Sequence, residues 1–139
     1  MRQWNIKPPI LMCRQHLLGE HFEIHKAVGC VNKKRSLKGY IKSGFLEFST
    51  LRVRHDELAR EMKRRGMNHK SPLPEFNCKM EGRVDVDKSV RELLQRCSRC
   101  RERFDKYKTI LETSGEVNFN AEIVTASLKP TSQVLSQEN

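Results

Sequence analysis

The sequence predicts an all-α fold, a compact bundle of about three helices with an extended N-terminal arm and a flexible C-terminal tail. Three observations carry that expectation. Apolar residues recur at helical spacing in three separate stretches, two prolines stand together at positions 8 and 9, and the composition turns polar after Ser114-Gly115. At 139 residues, 37% of them hydrophobic, the chain has the length of one domain with one core, and no internal repeat divides it.

The arm comes first. Pro8-Pro9 removes two amide donors and restrains Lys7 to an extended conformation, so residues 1 to 9 lead into a helix rather than form one. From Ile10 to about Asn32, Leu17, Ile24, Val28 and Val31 fall at helical spacing with His21 among them. Gln15, His16, Glu20, Glu23 and Lys26 lie mostly elsewhere on that helix surface. The next stretch, NKKRSLKGYIKSG, has five basic residues, two glycines and little periodicity, and reads as a basic loop. A second helix is expected from about Phe45 to Arg65, where Phe48, Leu51, His55, Leu58 and Met62 make a stripe and Gly66 supplies the stop. The segment MNHKSPLPEFNCKMEGRVDV carries two prolines and a glycine and should be irregular. A third helix spans about Asp87 to Thr113, with Asp87 as N-cap and Val90, Leu93, Leu94, Cys97, Phe104, Tyr107 and Leu111 as its apolar face. The helical domain so defined covers residues 1–113, and residues 114–139 form the polar tail.

Charge narrows the partner. Lys plus Arg number 27 against 17 Asp plus Glu, a net charge of +10, which favours a polyanion such as nucleic acid, with an anionic membrane surface as the rival. No apolar run approaches the roughly 18 residues of a spanning helix, and the N-terminus lacks a signal peptide's apolar core. A cytoplasmic, nucleoid or nuclear location on DNA is therefore expected. Five cysteines, an odd count in a lysine-rich chain without an export signal, point to reduced thiols rather than disulfides.

Metal chemistry is the rival to nucleic-acid chemistry. His21 and His25 stand at i and i+4, where they could share a cation with Glu20 or His55. HFEIH is not HExxH, however, and His21 lies on the apolar stripe, so a packed core histidine is the stronger reading. Cys97-x-x-Cys100 falls inside a helical pattern with no second ligand pair after it. Neither metal nor cofactor is expected.

The N-terminal residues suggest a different reaction. An α-amine titrates near 8, about two units below a lysine, so part of any such amine is nucleophilic at neutral pH. A nearby carboxylate can then handle protons, and Glu23 on the polar face of the first helix is the candidate. Residues 1 to 75 also carry MR-x-W at the start, RQHLLGEH-x-E-x-H in the first helix, and RH-x-EL-x-x-EM-x-x-RG with SPL behind it. In these motifs the chain resembles the pyrimidine-dimer DNA glycosylase/AP lyases, the small phage-type endonuclease V group.

The resemblance implies a compact helical enzyme whose N-terminal amine attacks the sugar C1′ of a damaged nucleotide, expels the base and cleaves the strand by β-elimination from a Schiff base. It places the amine on Met1, a phosphate-gripping arginine on Arg2 and the catalytic carboxylate on Glu23, with Gln15 and His16 lining the site. Arg2 is too large to favour removal of the initiator, so Met1 itself should supply the amine. Where the family carries arginines near the carboxylate, this chain has Phe22 and Lys26. Lys26, Lys33, Lys34, Arg35, Lys38, Lys42, Arg64 and Arg65 are the remaining DNA-contact candidates. The expected partner is damaged double-stranded DNA, bound by a monomer. A catalytically inactive DNA-binding relative is the second reading and a metal-binding helical protein the third.

Overall fold

The computed structural model describes residues 1–79 and 81–116; most of the expected tail lies outside them. The described residues form five α-helices and no strand: α1 (Arg14–Asn32), α2 (Lys38–Lys42), α3 (Leu51–Arg64), α4 (Val86–Arg96) and α5 (Ser98–Ser114). The all-α expectation holds. The chain divides into two compact units, one of Met1–Asn5 with Arg14–Val84 and one of Ile6–Cys13 with residues from Asp85 onward.

In the first unit, α1 packs on α3. Leu17, Ile24 and Val28 from α1 meet Leu51, Leu58 and Met62 from α3 in a core closed by Leu37, Leu46, Phe48 and Leu73. The apolar stripes of the sequence are therefore the packed faces. Gly66, with φ of 82°, ends α3 as expected: its amide bonds Lys63 O, and the Met67 amide bonds Met62 O at 2.9 Å.

Three boundaries differ from the expectation, each for a physical reason. The first helix starts at Arg14 rather than Ile10, because Pro9–Leu11 forms a 3₁₀ turn and Met12 is extended. The second starts at Leu51 rather than Phe45, because the arm claims the backbone of residues 45–47. Gln3 N donates to Phe45 O at 2.7 Å, and Glu47 N donates to Gln3 Oε1 at 2.9 Å. The basic loop, finally, contains the short helix α2, set by buried Leu37 and half-buried Ile41 four residues apart.

The arm itself is built in. Gln3 is fully buried and its side-chain amide donates to Asn5 Oδ1 at 3.0 Å and Thr50 Oγ1 at 2.7 Å. Asn5 adopts φ of 58°, a left-handed conformation that asparagine tolerates better than most residues. Further along, Val84 N donates to Glu47 Oε1 and Phe48 N to Glu81 O. Gly82, at φ of 91°, lies so close to the Leu46 carbonyl that any Cβ would collide with it.

Glu20 departs most from the sequence reading, which placed it on the helix surface. It is only 2% exposed. The fully buried Arg54 of α3 grips it through Nε to Oε2 at 2.6 Å and Nη2 to Oε1 at 2.9 Å. Burial opposes the Arg54 charge, but Glu20 and then Glu57 more than offset that and raise its pKa.

In the second unit, the single expected third helix is two. Cys97, at φ of −127° and ψ of 110°, ends α4 and begins α5. Arg101 Nη1 donates to the α4 carbonyl of Leu94 at 2.6 Å. The N-cap of α4 is Asp85, whose carboxylate accepts from Lys88 N, rather than Asp87, which lies in the first turn. Among the described residues Ile6, Leu11, Met12, Val90, Leu93, Leu94, Phe104 and Leu111 are buried apolar side chains of this unit, and Arg103 Nε donates to Ile10 O at 2.7 Å.

The buried pair gives the fold's clearest test. Glu20→Ala removes the bidentate partner of the buried guanidinium, leaving it Glu57 at 3.3 Å, and should cost about 3 kcal/mol in urea unfolding, whereas the double variant Glu20→Leu/Arg54→Met should recover most of that loss. Equal losses from the single and the double variant would show that the pair is not what is lost.

Candidate active site

Glu23 and the arm meet in the first unit. Glu23 lies on α1, half-buried, and its Oε2 accepts a hydrogen bond from the Arg2 backbone amide at 2.5 Å. The carboxylate thus reaches the peptide group that joins Met1 to Arg2. The Met1 side chain packs on the unit's apolar core, which anchors the start of the chain. Two residues 21 apart in sequence are brought together because Gln3 and Asn5 fix the arm behind them.

The Arg2 guanidinium lies over the Trp4 ring at 4.0 Å and the Phe45 ring at 4.5 Å. It is held by aromatic faces, an environment the sequence did not announce because Phe45 is distant along the chain. His16 is half-buried with its ring edge-on to Trp4 at 5.9 Å, and Gln15 is exposed. Phe22, beside Glu23, is 62% exposed, and the Lys26 ammonium lies 5.2 Å from its ring.

The remaining basic candidates separate into two groups. Lys34, Arg35 and Lys38 line one cleft of about 390 Å³ together with Lys79, while Lys33 and Lys42 are exposed. Arg64 and Arg65 instead converge on Glu61, with Arg64 Nη2 and Arg65 Nε both donating to Oε2 at 2.6 Å. Burial pushes the Glu61 pKa up, but these two arginines overcome it and hold the carboxyl below its ordinary range. A second cleft, of about 550 Å³, gathers Arg60, Lys63 and Lys70. Arg60 and Lys70 were not marked by the sequence, because Arg60 sits within a helical stripe pattern and Lys70 in an irregular segment.

Beside that cleft His21, His25, His55 and His69 cluster, with ring centroids 4.8 to 5.3 Å apart where they neighbour. Donor atoms of His21, His55 and His69 lie within 4.8 Å of one another, close enough to share a cation. Glu20, considered as a ligand with them, is committed to Arg54. The rings also bond within the chain: His69 Nε2 to His21 Nε2 at 2.9 Å, and His55 to Asp56 Oδ1 and Ser71 O. His69, from the irregular segment, had no periodicity to mark it as part of the group.

Comparison with known proteins decides the family. Residues 1–75, more than half of the chain, match the family described as pyrimidine dimer DNA glycosylase. The chain belongs to that family. No curated protein and no solved structure matches it. As a pyrimidine dimer DNA glycosylase, it belongs to DNA repair and has DNA as its substrate. The matched region contains Met1, Arg2, Gln15, His16, Glu23, Lys26 and every basic candidate named above except Lys79. No helix among the described residues is long and apolar enough to cross a membrane.

The histidine cluster gives this glycosylase a pH dependence with a definite sign. Burial first, then His55, His25 and His69, push the His21 imidazole from its ordinary 6.5 down to about 4, and burial lowers His25 and His69 as well. Between those values the unfolded chain takes up a proton that the folded chain refuses. Stability is therefore complete above pH 6.5 and declines as pH falls towards about 4, by on the order of 3 kcal/mol from His21. Urea unfolding in chelator-containing buffer across that window should show the decline, and His21→Gln should flatten it; a slope unchanged by that substitution would assign it elsewhere.

Proposed function

We propose that the chain is a DNA glycosylase with AP lyase activity on pyrimidine dimers in double-stranded DNA, acting as a monomer through a Schiff base on the Met1 α-amine. The observation that supports this reading is the hydrogen bond from Arg2 N to Glu23 Oε2, which holds a carboxylate one residue from that amine. No metal or cofactor takes part in the steps.

The neutral amine attacks the sugar C1′, forming a C–N bond as the glycosidic bond breaks and the base departs with its electron pair. Opening of the sugar ring then yields the iminium. Glu23 stabilises the positive charge on the sugar and the iminium, then takes the 2′ proton, and the C3′–O bond breaks to release the 3′ phosphate. Reaching C1′ requires a nucleotide taken out of the stack, at a cost of a few kcal/mol. Phe22 stands beside Glu23, and its exposed ring offers a face for a displaced base to stack on. Arg2 and Lys26 meet phosphates near the carboxylate, Gln15 and His16 line the site, and Lys33, Lys34, Arg35, Lys38 and Lys42 grip the backbone farther away. Arg64 and Arg65, tied to Glu61, contribute through their net charge.

Two experiments test the reading. Borohydride trapping on DNA with an abasic site should place the adduct on the N-terminal peptide. Acetylating the N-terminus should abolish it while DNA binding persists. Glu23→Gln should keep binding and lower strand cleavage at least about a hundredfold. An adduct on an internal lysine, or full turnover by acetylated protein, would refute the amine mechanism. Separately, log K for DNA should fall with log salt at a slope of about −0.9 per phosphate contact, and reversing Lys33, Lys34 and Arg35 to glutamate should flatten it. Affinity indifferent to salt would remove the phosphate-gripping role.

A further inference from the structure

We propose that Cys13, Cys97 and Cys100 bind a structural zinc ion within the second unit. The sequence alone argues against this, because Cys97 and Cys100 fall in a continuous helical pattern with no second ligand pair after them. The fold removes both objections. The helix breaks at Cys97, and the missing ligand arrives from far upstream, where the segment after the 3₁₀ turn carries Cys13.

The geometry is that of a metal site rather than of a disulfide. Zinc–sulfur bonds of about 2.3 Å arranged tetrahedrally place neighbouring sulfurs about 3.8 Å apart. Cys13 Sγ and Cys97 Sγ are 3.8 Å apart, and all three sulfurs lie within 4.8 Å of one another. A disulfide needs about 2.05 Å and would leave the third sulfur over.

The surroundings suit thiolates. Cys13 N donates to Cys100 Sγ at 3.3 Å and Cys100 N donates to Cys97 Sγ at 3.5 Å, so backbone amides already point at two of the sulfurs. Cys97 is the N-cap of the 17-residue helix α5 and Cys100 lies in its first turn, at the positive end of its dipole. Cys13 and Cys100 are almost fully buried, which keeps competing solvent away.

The second unit has reason to need such a link. Among the described residues it comprises one turn of 3₁₀ helix and two helices, and units of that size are commonly stapled by a metal. Coordination displaces each thiol proton to solvent and converts the sulfur to thiolate, with no redox change. Three thiolates select a soft cation such as zinc over magnesium or manganese, and one nitrogen or oxygen donor completes the tetrahedron. The proposal is independent of the amine mechanism, since its readouts are metal content and spectrum rather than activity.

The full chain, purified without chelator, should carry about one zinc ion per molecule by elemental analysis. Cobalt exchanged for zinc should give the intense near-ultraviolet bands of thiolate-to-cobalt charge transfer. Cys13→Ser and Cys97→Ser should each lose the metal and melt earlier, whereas Cys30→Ser and Cys78→Ser, in the first unit, should keep it. Should the serine variants not fold, the unaltered protein still decides: three thiols should resist a thiol reagent until a chelator is added. Metal-free protein that is folded, a cobalt spectrum lacking thiolate bands, or a Cys13–Cys97 disulfide in protein prepared anaerobically would each overturn the proposal.

Discussion

Glu20 and Arg54 bury opposite charges between α1 and α3, and the placement of everything near Glu23 follows from how they are held. The bidentate geometry leaves no freedom of rotation or register between the two helices, because a shift of one residue would unpair both ions in a medium that punishes it. Glu20 Oε2 also accepts from Asn5 N at 3.4 Å, so the same carboxylate that ties the helices touches the arm. Glu23 follows three residues later on α1, on the same side, and meets the arm nearer its start. A well-packed apolar pair could contribute as much stability. It would not specify where the arm lies, and that positional role is the better account of why two charges are buried here.

The helical stripes were legible in the sequence because burial on one face imposes a period, and Leu17, Ile24, Val28, Leu51, Leu58 and Met62 obey it. The break at Cys97 was not, because Cys97 and Phe104 are seven residues apart and keep the same phase whether the helix continues or restarts. Glu20 was misplaced for a related reason: periodicity marks faces by polarity, and a buried carboxylate looks like a surface one until its arginine is found 34 residues on. Of the candidate site, Glu23 could be named from its motif. Its partner is a backbone amide, which no sequence pattern displays. His69 and Cys13 escaped notice because each comes from irregular chain.

The positive charge is not one undivided surface. Some of it is neutralised locally, as where Arg64 and Arg65 converge on Glu61 or Arg52 reaches Glu75, and such cations add little to the field beyond their own pair. In the two clefts the cations outnumber the carboxylates, with Lys34, Arg35, Lys38 and Lys79 beside Glu81 in one and Arg52, Arg60, Lys63 and Lys70 beside Asp56 in the other, so a net positive field is left to extend into solvent. A count of basic residues overstates the charge available to a polyanion, and the ion pairs show which part to subtract.

Trp4 is the chain's single tryptophan, and it is 5% exposed with the Arg2 guanidinium 4.0 Å from its ring. A cation against an indole changes the ring's excited-state environment, and so does transfer of the ring from protein to water. The indole emission of this protein therefore comes from one residue of the arm, two positions from the Arg2 amide that meets Glu23. Whatever lifts or settles the arm is written into a signal free of any other indole, and the chain carries its own optical gauge of that segment.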